Sequence, residues 1–172
     1  MTKFLTKAVL AASVALLATP ALAAPAGNSN FDAKAKIVKP VTLTKVTDLD
    51  FGSTTMRPTL TSATVTVGDA TGSVAVCSNT TMLTCSGGFP ASFNLSSGVQ
   101  GQTVQISFDT PPTSLLHSNG TSTVAFALDA VENVVLDATG AGKFNVGGTI
   151  TVVSATADGE YSANVKIVAN YL

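Results

Sequence analysis

Apolar side chains fall on every second position through run after run of this chain. "ATVTVG" sets Ala63, Val65 and Val67 against threonines, and "SVAVC" gives Val74 and Val76. "ASFNL" gives Phe93 and Leu95, "TVQISF" gives Val104, Ile106 and Phe108, and "TVAFALD" gives Val124, Phe126 and Leu128. "FNVGGTITVV" offers Val146, then Ile150 and Val152 beyond Gly147-Gly148, a pair that predicts a bulge or bend. A two-residue period turns alternate side chains to opposite faces, so each run predicts a β-strand with one apolar face. Turn residues part the runs, at Gly68-Asp69, Ser86-Gly87-Gly88, Ser97-Gly98, Pro111-Pro112, Asn119-Gly120 and Asp158-Gly159. Many short alternating strands at this spacing predict a single all-β domain, an immunoglobulin-like antiparallel sandwich.

The first 23 residues follow another rule. "MTKFLTKAVLAASVALLATPALA" has Lys3 and Lys7, an apolar run from Ala8 to Ala18, and then Ala21-Leu22-Ala23. These are the three regions of a secretory signal peptide, residues 1–23, with cleavage expected after Ala23. The apolar run is well short of the roughly 20 residues that a membrane span needs. The mature chain, 24–172, has the length of one domain with one core. Without Lys3 and Lys7 it carries seven basic and ten acidic side chains, a net charge of about −3 that offers nucleic acid no basic patch. The basic residues are unevenly placed: Lys34, Lys36, Lys39 and Lys45 cluster early, and Arg57 stands alone between Val46 and Gly142.

Cys77 and Cys85 are the only cysteines. A pair this close in an exported protein is expected to form a local disulfide, closing a small mid-chain hairpin. As metal ligands, with no histidine near, they would make half a site.

Catalysis needs a constellation, and none is visible, so no enzyme and no cofactor is expected. His117, in "SLLHSN", is the sole histidine, is expected to be solvated, and has no nucleophile elbow with it. "TGAGKFN" lacks the first Gly and the closing Ser or Thr of a phosphate loop, and reads as a turn before Phe144. Asp48 and Asp50 would be half of a calcium site at most, with Leu49 between them. The sequons at Asn79, Asn94 and Asn119 fall in Thr- and Ser-rich stretches.

The chain ends on "GEYSANVKIVANYL", where Tyr161, Ala163, Val165, Ile167, Ala169 and Tyr171 alternate behind Gly159. This is a strand with nothing after it to cover its edge. The penultimate aromatic, the alternation and the Gly fourteenth from the end together resemble the C-terminal motif of chaperone–usher pilins. That resemblance implies an incomplete sandwich whose last strand borders an open groove. A periplasmic chaperone fills the groove first, and then the N-terminal extension of the next subunit, by donor-strand complementation. Residues 24–38 would be that extension and 39–172 the pilin-like domain. In "NSNFDAKAKIVKP", Phe31, Ala33, Ala35 and Ile37 alternate with Asp32, Lys34 and Lys36, and Pro40 limits the run. The alternative is that residues 31–45 form the first strand of a complete sandwich.

"AKIVKPVTLTKVTDLDFGS", "GKFNVGGTITV" and "GEYSANVKIVANY" together resemble the bacterial family described as domain of unknown function 4402, associated with secreted, fimbria-like proteins. One departure from the usual pilin pattern is the disulfide, which there ties early strands. The resemblance implies a surface fimbrial subunit whose partners are its own copies or sister subunits, a periplasmic chaperone and an outer-membrane usher. Two other classes stay open: a small outer-membrane β-barrel, which would need aromatic girdles, and a self-contained secreted binding module.

Overall fold

The computed structural model describes residues 27, 29–129 and 133–172, so the expected leader lies outside the described residues. The chain divides into two units, Met1–Lys36 and Ile37–Leu172. In the first, residues 29–36 carry no strand and are exposed.

The second unit is built from antiparallel strands, with no helix among the described residues. In chain order they are β1 (Thr42–Thr47), β2 (Ser53–Met56), β3 (Ser62–Val67), β4 (Val76–Cys77), β5 (Leu83–Ser86), β6 (Ala91–Ser96) and β7 (Thr103–Asp109). There follow β8 (Ser114–His117), β9 (Thr123–Asp129), β10 (Asn133–Val135), β11 (Gly142–Val153), β12 (Tyr161–Ser162) and β13 (Lys166–Tyr171). The largest sheet runs β1-β6-β11-β9-β8-β12 and curls into a half-barrel, with β3 also paired to β11 and β4 to β3. A second sheet is β10-β7-β13, and β2 pairs with β5. The fold is therefore all-β and antiparallel, consistent with a sandwich.

Alternation places the core. Val65, Val67, Val104, Ile106, Val124 and Phe126 are buried, and Thr66, Gln105 and Ala125 between them stay at least partly exposed. Leu95, Val104, Ile106, Leu136, Phe144 and Val146 form one cluster, in which the rings of Phe93 and Phe144 stack 5.1 Å apart. Leu60, Val65, Leu83 and Val152 belong to another. Each such side chain contributes about 1.5–3 kcal/mol when it leaves water.

β11 joins these parts. Its first half, Gly142–Val146, pairs with β6, and its second half is flanked by β9 and β3. Gly147-Gly148 is where the partners change, and the strand runs on without a break. A Cβ at Gly147 would meet the backbone of Val67, Gly68 and Asp69, and one at Gly148 would lie 2.8 Å from the Ala127 carbonyl. Glycine is required here by close backbone approach on both sides.

Three expectations need correction. In "SVAVC" the facing is reversed: Val74 and Val76 are exposed, while Ala75 and Cys77 turn inward. The buried cysteine sets the parity, and a shift of one residue swaps the faces of a strand. Cys77 and Cys85 are bonded, with Cα atoms 5.8 Å apart, but they do not close a hairpin. The bridge ties β4, which pairs with β3, to β5, which pairs with β2. Finally, the C-terminal run is two strands. β12 pairs with β8 and β13 with β7, and Ala163–Val165 between them carry no strand because the chain changes sheets there.

Candidate functional site

Among the described residues β1 pairs only with β6, β12 only with β8, and β13 only with β7. Each therefore presents a free edge of backbone N–H and C=O groups. Between these edges lies a groove of about 1800 Å³. Its floor is the concave face of the curled sheet, with Phe93, Val146, Ile150, Phe126, Leu128 and Leu115. Leu43 and Lys45 of β1 stand on one side, and Tyr161 and Ile167 on the other. The β1–β2 connection reaches in with Leu49 and Phe51, and the Phe51 ring meets Phe126 edge-on at 6.0 Å. Leu49 and Phe51 were not singled out from the sequence. The signal was there, since both keep the odd-numbered parity of Val41 and Leu43.

Of the C-terminal candidates, Gly159, Tyr161, Ala163, Val165 and Ile167 all line the groove. Ala169 and Tyr171 do not; they pack against the main core cluster. The Tyr171 hydroxyl accepts a hydrogen bond from the Val99 N–H at 3.0 Å, so the penultimate ring anchors β13. Phe31, Ala33, Ala35 and Ile37 are exposed, Phe31 by 89% and Ile37 by 93%, and none lies in a strand. The first strand begins at Thr42, so no strand spans 31–45. The Cys77–Cys85 bridge does not line the groove.

His117 is no solvated loop residue. It ends β8, and its Nδ1 accepts from the Asn119 N–H at 2.9 Å. The Asp158 carbonyl, 2.8 Å away, can only accept, so Nε2 carries the proton. The ring also meets Tyr161 edge-on at 4.8 Å. It lies over Gly159, whose φ of +139° and lack of Cβ allow the approach. His117 thus clasps β8 to the 158–161 segment at the groove's rim. "HSNG" and "DGEY" are far apart in sequence, and neither announces the contact.

The Asp and Asn motifs are turn devices. The side-chain oxygens of Asn79, Asn119 and Asp137 each accept from the N–H and hydroxyl of the Thr two residues on. Hydrogen bonds from the Thr139 hydroxyl and from the Ala141 and Thr139 N–H groups hold the Asp137 carboxyl below its usual range. The "TGAGKFN" stretch is accordingly a turn that feeds β11 at Gly142. Asp48 pairs with Lys45 at 2.6 Å, and Asp50 accepts from the Gly52 N–H at 2.7 Å. Among the described residues no three His, Cys, Asp or Glu side chains are grouped to hold a metal ion.

What this arrangement can do is take up an extended segment. Free edges supply main-chain hydrogen bonds, and the apolar floor takes alternate side chains. Comparison with curated proteins and with solved structures found no match. A family model, by contrast, matches residues 41–171, from the residue before β1 to the end of β13. The chain belongs to the family described as domain of unknown function (DUF4402).

Proposed function

We propose that this protein is a structural fimbrial subunit, exported through the periplasm, which polymerises on the bacterial surface by donor-strand complementation. The observation that carries the reading is the open groove, with free strand edges beside it and Phe126, Leu128 and Ile150 on its floor. The exposed Phe31, Ala33, Ala35 and Ile37 supply a segment of the right alternation, outside the family-matched region. A periplasmic chaperone strand would cover the groove first, an outer-membrane usher would pass the subunit on, and a copy or sister subunit would then complete the sheet. An outer-membrane barrel turns its apolar band outward. Here Leu95, Val104, Ile106 and Phe144 point into shared cores, which favours the subunit reading.

The test is deletion of Ala24 to Val38. Chaperone-bound monomer should remain in the periplasm, and surface polymer should disappear. Ile167→Asp, which places a charge in the groove, should lower periplasmic levels through proteolysis. Polymer of normal length from the deletion strain would overturn the reading.

A further inference from the structure

Charge is divided between the extension and the domain that would receive it. Residues 24–40 hold Lys34, Lys36 and Lys39 against one acid, Asp32. Residues 41–172 hold four basic side chains, Lys45, Arg57, Lys143 and Lys166, against nine acidic ones. Part of that excess gathers at the groove, which is lined by Asp48, Asp50, Asp158 and Glu160. The two lysines that also line it are engaged: Lys45 with Asp48, and Lys166 with Asp109 of β7, each at 2.6 Å. Among the described residues, Asp50, Asp158 and Glu160 have no cationic partner.

The topology puts these carboxylates at one end. From β1 to β12 the sheet takes five antiparallel steps, so the two edge strands run in opposite directions. The end of β1, which leads to Asp48 and Asp50, and the start of β12, which follows Asp158 and Glu160, therefore both lie towards the Val153 end of β11, the former past its Asn145 and the latter beyond Val153. The groove has an acidic end. The extension has a basic end as well, since its lysines follow Phe31 and Asp32.

We infer that this acidic rim selects the lysine-rich half of residues 31–39 from a second copy of the chain, and so favours exchange over self-closure. The inference rests on the donor-strand reading. A strand that brings Lys36 and Lys39 to the carboxylates runs parallel to β1. A copy folding its own residues 31–37 back along β1 through the 38–41 connection would run antiparallel to it. Such a hairpin would carry the lysines away from the rim and Asp32 towards it. Attraction thus rewards the intermolecular direction and repulsion opposes the other.

A charge swap on the mature chain tests this. One variant is Lys34→Glu with Lys36→Glu and Lys39→Glu; the other is Asp158→Lys with Glu160→Lys. At low salt each alone should assemble about tenfold or more slowly than the parent, the scale of electrostatic steering. An equal mixture should recover the parent rate, because each tail then meets a groove of opposite charge. At about 1 M salt, where the Debye length falls to about 3 Å, the differences should close. Parent-like assembly of both variants at low salt, or no recovery on mixing, overturns the inference. A salt series on the parent chain gives a second readout if either variant folds poorly: a rate that does not fall with salt also overturns it. Phe31→Asp with Ile37→Asp tests the underlying reading separately, and should stop assembly at every salt concentration.

Discussion

Gly159→Ala is the sharpest single test of the rim. The glycine sits at φ +139°, a conformation that L residues rarely adopt, and an added Cβ would run into the His117 ring. The backbone strain alone is of the order of 1–3 kcal/mol. The ring cannot simply step aside, because it is held by the Asn119 N–H, the Asp158 carbonyl and the edge of Tyr161. Swinging it out loses two hydrogen bonds, each with a net value of about 0.5–1.5 kcal/mol. The substitution should therefore cost about 2–6 kcal/mol in all. Urea unfolding of residues 24–172 gives the value, with the midpoint read at constant slope. A double-mutant cycle with His117→Ala then separates the two parts. Without the ring the collision is gone, and Gly159→Ala should cost only the strain, leaving a coupling of about 1–3 kcal/mol. An equal cost in both backgrounds would refute the clasp.

Replacing Cys77 and Cys85 together by Ser should lower stability by about 2–3 kcal/mol, and the parent's intact mass should be two hydrogens below that of its reduced form. Tyr171→Phe removes the acceptor of the Val99 N–H and should cost about 1 kcal/mol in the same urea assay. Asp137 has a carboxyl pKa lowered from 3.8 in the folded chain, so the unfolded state binds its proton first as pH falls. Its stabilising effect is present above that value and is lost as pH drops through the folded pKa. The gap in urea midpoint between the parent and Asp137→Asn should shrink below pH 3.8; a constant gap would deny the charge a role.

The strands were legible because burial follows local parity. Val65, Val104, Val124 and Phe126 face inward as alternation says, and nothing beyond the period of a strand was needed. Val74 and Val76 failed because a third partner on the same short run, Cys77, was fixed from elsewhere by its bridge to Cys85. The C-terminal run hid its break, since alternation from Tyr161 to Tyr171 continues through the residues that change sheets. The groove was legible only as an expectation attached to a family resemblance. Its floor depends on which strands sit side by side, and that is decided by contacts such as Phe51 with Phe126. The clasp of His117 on Asp158 was closed to sequence reading for the same reason.

β11 has a consequence for the order of events as the chain is made. It is the shared neighbour of β3, β6 and β9, and among the described strands it is the eleventh to be synthesised. Until Gly142–Val153 arrives, those three strands cannot form their ladders to it. Ser62 must wait for Val153, and Leu95 for Gly142. Topologies dominated by such distant pairings fold slowly, and their unpaired strands are prone to aggregate in the meantime. The chain therefore emerges as separate pairs, such as β1 with β6 and β8 with β9, that stay unjoined until β11 arrives, and a short delay in delivering its last third should prove more harmful than a delay in its first.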